Sequence, residues 1–213
     1  MQLLIDKTIK FVEEMFKNEY SGHDYFHTMR VYNMALRIAN EENADTLIVS
    51  LAALLHDVDD IKLSPQTSKN KDNARKFLTD NNIDNKTIDL ICQIIDEISY
   101  KGSESVSPKT LEGKCVQDAD RLDAIGAIGI ARAFAYGGNH NRVMHDPNEP
   151  PTLNMSENEY RNHVSTTINH FYEKLFNLKD LMNTKTAIKI AEERNRYMKE
   201  YIIEFMNEWD GIK

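Results

Sequence analysis

A run of apolar residues that ends in a histidine–aspartate pair places the strongest constraint on how this chain folds. Residues 46–55 read TLIVSLAALL and are followed directly by His56 and Asp57. A helix that is apolar almost all round is stable only where other elements surround it. Asp45 precedes the run and can cap its N-terminus through a side-chain oxygen. The run, continued to Asp60, therefore predicts a central buried helix with a polar pair near its C-terminal end.

Elsewhere the chain shows apolar residues at the spacing of amphipathic helices, and no segment has the pattern of a strand. The 8 glycines and 5 prolines leave little material for the many turns of a β fold. Three of the prolines fall in 139–154, which predicts a long loop of the kind that often serves as a lid or a binding segment. We therefore predict an all-α fold. The predicted helices lie near residues 5–16, 24–40, 46–60, 74–78, 86–99, 108–138, 156–178 and 184–209.

The acidic balance of the chain argues against nucleic acid as a partner. Acidic residues number 34 against 26 basic ones, for a formal net charge of -8, and such a surface repels a phosphate backbone. A small phosphorylated ligand is compatible with this charge, because a bound divalent cation inverts the local field.

The start of the chain and its cysteines indicate the compartment. Residues 1–16 mix apolar and charged residues at helical spacing and lack the unbroken apolar stretch of a signal peptide or membrane span. Cys92 and Cys115 lie on apolar-periodic segments and form no CxxC pair, which favours two buried reduced thiols. We therefore predict a cytoplasmic protein with no membrane partner, and a homodimer is left open.

Four His and Asp residues on three predicted helices have the pattern of a metal site. His56 and Asp57 are adjacent, so at about 100° per residue both side chains can reach one ion on that side of the helix. His27 lies near the start of the preceding helix, and Asp120 interrupts an apolar run where an unpaired charge is costly. Each residue alone could be an ordinary hydrogen-bonded side chain, but the combination favours a metal site. Imidazole and carboxylate ligands without thiolate suit Mn, Mg, Fe or Zn.

The segments that carry these residues resemble the HD superfamily of metal-dependent phosphohydrolases. They read HDYFHTMRV at 23–31, LAALLHDVDD at 51–60 and DADRLDAIG at 118–126. The resemblance implies a single HD domain over residues 1–213, a helical bundle with a central metal site. Its metal-binding core would cover about 20–135, and a C-terminal helical extension would cover about 156–210.

The resemblance also implies the composition of the metal site. The four protein ligands would be His27, His56, Asp57 and Asp120. HD enzymes with two metals usually carry extra histidines on the helix after the doublet, whereas residues 90–100 here, LICQIIDEISY, contain none. We therefore expect one divalent ion, with Mn favoured over Mg, Fe and Zn.

Carboxylates and cations near the doublet are candidates for catalysis and substrate binding. Asp60 is the first candidate for the general base and Asp59 the second, because both closely follow the doublet. Lys174 is a candidate for binding phosphate mainly because of the family resemblance. Helix-end carboxylates and solvated surface cations remain the alternative interpretation for such residues. The full set of predicted substrate-binding residues is Arg30, Lys62, Lys174 and His23.

The C-terminal half indicates the substrate class. Residues 166–184 and 191–211 resemble the bacterial single-domain group whose members act as nucleotide pyrophosphohydrolases. The resemblance implies hydrolysis of a nucleoside triphosphate with release of pyrophosphate. Two alternatives stay open: a nucleotide phosphomonoesterase (a nucleotidase), or a non-catalytic nucleotide or metal sensor on the same fold.

Overall fold

The structure is a computed structural model that describes residues 2–17, 19, 24–61, 63–100 and 105–213. Over these residues it consists of helices and connecting segments without a strand, which confirms the all-α prediction. The helices are α1 (Gln2–Met15), α2 (Tyr25–Glu42), α3 (Thr46–Leu55), α4 (Asp72–Asp80), α5 (Asn85–Ile98), α6 (Leu111–Asp123), α7 (Gly126–Asn139), α8 (Glu157–Asn162), α9 (Thr167–Glu173), a 3-10 helix (Leu175–Leu181) and α10 (Lys185–Trp209).

The chain divides into two compact units. Unit 1 comprises residues 1–99 and 106–120, and unit 2 comprises residues 100–105 and 121–213. The single domain over 1–213, with its core and extension, stays a prediction. Among the described residues no helix is long and apolar enough to cross a membrane.

Unit 1 is built around α3, which packs against α1, α2 and α5. Leu51, Leu54 and Leu55 are fully buried, as expected for a helix that is apolar almost all round. The side chain of Asp45 accepts hydrogen bonds from the backbone N–H groups of Leu47 and Ile48, which confirms the predicted cap.

The central helix is shorter than predicted, because it ends at Leu55 rather than at Asp60. The N–H of Val58 donates to the carbonyl of Leu55 at 3.3 Å, and the N–H of Asp60 donates to that of Asp57 at 3.0 Å. These three-residue bonds are those of tight turns rather than of an α-helix. The histidine–aspartate pair therefore lies in a turn immediately after the helix.

The single long helix predicted over 108–138 is wrong, because the structure contains two helices, α6 and α7, in its place. Ile125 is extended between them, and Gly126 has a φ of +77°, which is in the left-handed region. A Cβ at Gly126 would meet the Arg194 side chain at 2.9 Å. Glycine is required here by both the backbone angle and the close approach, and it lies at the break between α6 and α7.

Unit 2 packs α10 against α7 and the 3-10 helix, and α9 against α7 and the 3-10 helix. Phe171 is fully buried on α9. The helix predicted over 156–178 is divided, since residues 163–166 are not helical and Thr166 caps a new helix, α9. The last predicted helix is confirmed, with Thr184 as its N-cap.

The predicted loop 139–154 is not helical beyond Asn139, and it is bonded to α9 in unit 2. The N–H groups of Thr167 and Ile168 donate to the carbonyls of Val143 and Met144 at 3.1 and 2.9 Å. The Asn169 side chain donates to the carbonyl of Glu149 at 2.9 Å. The loop thus supplies the acceptors that the first turn of α9 lacks within its own helix.

Candidate metal centre

His27 is positioned by the start of α2. Asp24 is the N-cap of this helix, and its carboxylate accepts the backbone N–H of His27 at 2.7 Å. The cap fixes the first turn of the helix and with it the direction of the histidine side chain. His27 is 1% exposed, so its imidazole lies within the core of unit 1.

His56 directs one defined ring nitrogen, Nε2, toward the imidazole of His27. Its Nδ1 lies 2.8 Å from the carbonyl oxygen of Ala53, and since a carbonyl only accepts, Nδ1 carries the proton. The lone pair of Nε2 is then available as a ligand, which is the usual arrangement for a metal-binding histidine. His56 Nε2 lies 3.3 Å from His27 Nε2.

Two carboxylates complete the group. Asp57 Oδ2 lies 3.2 Å from His56 Nε2 and 3.5 Å from His27 Nε2. Asp120, on α6, places Oδ1 at 3.5 Å from His27 Nε2 and 4.0 Å from His56 Nε2. Around an octahedral ion with bonds of about 2.1 Å, neighbouring donors lie about 3.0 Å apart and opposite donors about 4.2 Å apart. The observed spacings fall in or near this range.

The ligand atoms of His27, His56 and Asp57 all lie within 4.8 Å of one another. These three side chains are buried, whereas that of Asp120 is 30% exposed. Within the described part of the chain, this is the one group of three or more His, Cys, Asp or Glu side chains so arranged. The open side of the group is therefore at Asp120.

The charges in this group call for a cation. Burial alone lowers the pKa of His56, but the charges of Asp57 and Asp120 and a hydrogen bond to Asp57 outweigh it and raise the pKa to about 9. Two imidazole nitrogens and two carboxylates thus converge where positive charge is strongly favoured. A divalent ion satisfies this demand, and imidazole with carboxylate is a donor set that such ions accept.

The comparisons with known proteins identify the family. The HD domain model matches residues 24–125, the stretch that contains all four converging residues. The chain is 35% identical over 204 residues to the uncharacterised protein YpgQ of Bacillus subtilis, covering 95% of this chain and 92% of that protein. The chain belongs to the HD superfamily. It is accordingly a metal-dependent phosphohydrolase, and its buried His27, His56 and Asp57 can hold the metal.

Three solved structures have the same fold over nearly the whole chain. A protein from Lactobacillus plantarum is 38% identical, with a TM-score of 0.87 and 99% of both chains covered. An HD-superfamily hydrolase from Bacillus thuringiensis is 42% identical, with a TM-score of 0.78 and 98% of both chains covered. YpgQ has been solved in complex with ADP, at 34% identity, a TM-score of 0.75, and coverage of 98% of this chain and 100% of that one.

The two candidate bases of this HD protein have different surroundings. Asp59 is 1% exposed, and its two oxygens accept the backbone N–H groups of Asn73 and Ala74. Asp60 is half-buried, and its backbone carbonyl accepts the N–H groups of Leu63 and Ser64. Asp60 therefore has the more accessible carboxylate of the two.

The predicted substrate-binding residues fall in different parts of the HD chain. Arg30 is half-buried on α2, one turn after His27 in unit 1. His23 and Lys62 lie outside the described residues. Lys174 lies in unit 2 at the end of α9, with Nζ at 4.7 Å from the ring centroid of Tyr100 and 5.3 Å from that of Tyr160.

The tyrosines around Lys174 were not predicted from the sequence. Their rings meet edge to face with centroids 5.2 Å apart, and each contributes a cation–π contact that holds the ammonium in place. The two tyrosines are separated by 60 positions in the sequence, so no local pattern could have joined them. Arg121, next to the Asp120 carboxylate, is 5% exposed and donates to the carbonyl of Leu181.

Proposed function

We propose that this HD protein hydrolyses a nucleoside triphosphate to a nucleoside monophosphate and pyrophosphate, with one divalent ion held by His27, His56, Asp57 and Asp120. The observation that carries the proposal is the convergence of four donor atoms, two of nitrogen and two of oxygen, within about one coordination shell. The ADP complex of the relative YpgQ supports a nucleotide as the substrate.

The metal ion, Asp60 and Arg30 have different roles in the proposed hydrolysis. When bound, the ion supplies Lewis acidity, lowering the pKa of water and neutralising phosphate charge. Asp60 accepts a proton from the water that attacks the α-phosphorus, because its carboxylate is more accessible than that of Asp59. The bond from the α-phosphorus to the bridging oxygen breaks, and pyrophosphate leaves. Arg30 neutralises phosphate charge from the face of α2 that carries His27.

The metal, the number of ions, the phosphate-binding residues and the partner are also proposed. Manganese is favoured among Mn, Mg, Fe and Zn, and one ion is proposed because residues 90–100 contain no histidine. Lys174, His23 and Lys62 stay predicted phosphate-binding residues. The partner is a small phosphorylated molecule rather than nucleic acid, because the chain carries a net charge of -8, and the protein is proposed to act in the cytoplasm.

The test is a product analysis. The purified protein, supplied with Mn, is incubated with a panel of nucleoside triphosphates, diphosphates and monophosphates, and pyrophosphate and orthophosphate are measured separately. The proposal expects pyrophosphate and nucleoside monophosphate in equal amounts. Orthophosphate alone would establish a nucleotidase instead, and bound metal without turnover of any nucleotide would establish a sensor.

A further inference from the structure

Asp59 is a buried carboxylate whose partners lie far from it in the sequence. It is 1% exposed, and its Oδ1 and Oδ2 accept the backbone N–H groups of Asn73 at 3.1 Å and Ala74 at 2.9 Å. These two residues are in the first turn of α4, where backbone N–H groups have no acceptor within the helix. Asp59 therefore caps a helix that begins 13 residues after it.

The residue that would normally cap α4 does not do so. Lys71 occupies the N-cap position with a φ of +58°, and its side chain makes no capping hydrogen bond. Asn73 also donates a second bond toward the doublet, because its side-chain amide donates to the carbonyl of Val58 at 3.0 Å. The same amide donates to Thr67 Oγ1 at 3.1 Å. Residues 73–74 thus donate three hydrogen bonds to residues 58–59, two to the Asp59 carboxylate and one to the Val58 carbonyl.

The hydrogen bonds between residues 58–59 and 73–74 constrain the turn that carries the metal-binding pair. Burying a carboxylate is costly unless its oxygens are bonded, and here both are. With Lys71 at its N-cap, α4 has no local side-chain acceptor, so the Asp59 carboxylate serves the helix start and the turn together. Asp59, the distant acceptor, follows Asp57 by two residues and directly precedes Asp60. It fixes the backbone on which both of these side chains are placed.

We propose that Asp59 is a positioning residue that holds the turn 56–60 in its metal-binding geometry through its bonds to the start of α4. The inference rests on the proposed function in taking Asp57 as a metal ligand. Asp59 touches neither metal nor substrate, and it acts through Asp57 and Asp60. When these hydrogen bonds are lost, the turn relaxes. Asp57 Oδ2 then no longer lies 3.2 Å from His56 Nε2 and 3.5 Å from His27 Nε2.

The experiment measures Mn²⁺ binding to the metal-free protein by calorimetry, at a temperature where circular dichroism shows every variant folded. Asp59→Asn keeps the shape of the side chain but leaves one acceptor oxygen, and Asn73→Ala removes the side-chain bond to the Val58 carbonyl. The matched control is Asp84→Ala. Asp84 caps α5 in the same unit through Thr87 N–H at 3.1 Å and Thr87 Oγ1 at 2.7 Å.

We expect Asp59→Asn to weaken Mn²⁺ binding by about tenfold and Asn73→Ala by about threefold, while Asp84→Ala stays within twofold of the parent, although every variant lowers the unfolding temperature. Unchanged Mn²⁺ affinity in Asp59→Asn would overturn the proposal, and so would an equal loss in Asp84→Ala. Because the readout is binding, a parent protein that binds Mn²⁺ yet hydrolyses no nucleotide would end the proposed function and leave this inference standing.

Discussion

The backbone carbonyl of Ala53 decides which nitrogen of His56 can bind a metal. Because that carbonyl accepts from Nδ1, Nε2 is the nitrogen that faces the Nε2 of His27, at 3.3 Å. The negative charges of Asp57 and Asp120 beside these nitrogens favour a positive species among them. At this scale, each of the four donors is expected to matter for metal affinity more than for folding.

Asp120 gives a direct test of the donor set. Asp120→Ala removes an oxygen that lies 3.5 Å from His27 Nε2, and we expect metal affinity to fall at least tenfold and turnover to fall with it. Metal content by mass spectrometry and nucleotide turnover measure the two effects. The control is Asp89→Ala, which removes an exposed ion pair with Arg75 and should leave both unchanged. Retention of metal and activity in Asp120→Ala would show that Asp120 is not a ligand.

A substitution of Asp60 tests proton transfer separately from metal binding. Asp60→Ala should lower kcat by about 10²- to 10⁴-fold, the usual contribution of a general base, with Mn²⁺ affinity within about threefold of the parent. Calorimetry and steady-state kinetics measure the two quantities on the same preparation. Turnover at the parental rate would exclude Asp60 as the base, and a loss of metal would mean that its role is to support the site.

The sequence predicted these four residues as metal ligands in part because histidine and aspartate are unusual at the ends and in the middle of apolar helices. It could not assign different roles to Asp59 and Asp60, which look alike as neighbouring carboxylates. The partners of Asp59 are the backbone N–H groups of Asn73 and Ala74, and only the folded chain brings them together. Such bonds leave no trace in local spacing.

At the scale of elements, apolar periodicity located most helices but not their ends. The segment 108–138 keeps helical spacing throughout, so nothing in its pattern marks the break between α6 and α7. The break is made by Gly126, whose backbone angle few other residues adopt. Where a capping residue was present, as at Asp24, Asp45 and Thr184, the predicted start of the helix is confirmed.

Gly126 and Gly138 are expected to respond oppositely to the same substitution. Gly126→Ala places a methyl group 2.9 Å from Arg194 at a φ of +77°, and should lower the free energy of unfolding by about 1–3 kcal/mol. Gly138→Ala adds a methyl group with no neighbour within 4 Å, near the end of α7, and should leave stability unchanged or raise it by up to about 1 kcal/mol. Urea unfolding measures both, and equal effects would contradict the assigned role of Gly126.

At the scale of the whole molecule, His170 links stability to pH. Burial, reinforced by the charges of Lys174, Arg142 and His163, lowers the pKa of His170 to about 3 from its ordinary value of 6.5. The unfolded chain therefore takes up a proton below pH 6.5 that the folded chain does not. Stability from this group is present above pH 6.5 and is lost as pH falls toward 3, by at most about 1.4 kcal/mol per pH unit.

His170→Gln tests this linkage. We expect the parent to lose more unfolding free energy than the variant between pH 7 and pH 5, since glutamine takes up no proton. Urea unfolding at a series of pH values gives both curves. Parallel curves would show that His170 is protonated equally in the folded and unfolded chains.

The bonds between the loop 139–154 and α9 also affect how readily proteases cut the chain. Val143 and Met144 supply the carbonyls for the first N–H groups of α9, and Glu149 supplies one for the Asn169 side chain. A cut in the loop would therefore deprive a buried helix of its terminal acceptors as well as open the surface. The loop and α9 should open as one cooperative segment, and digestion there should proceed at the rate of that shared opening rather than at the rate of an independent surface loop.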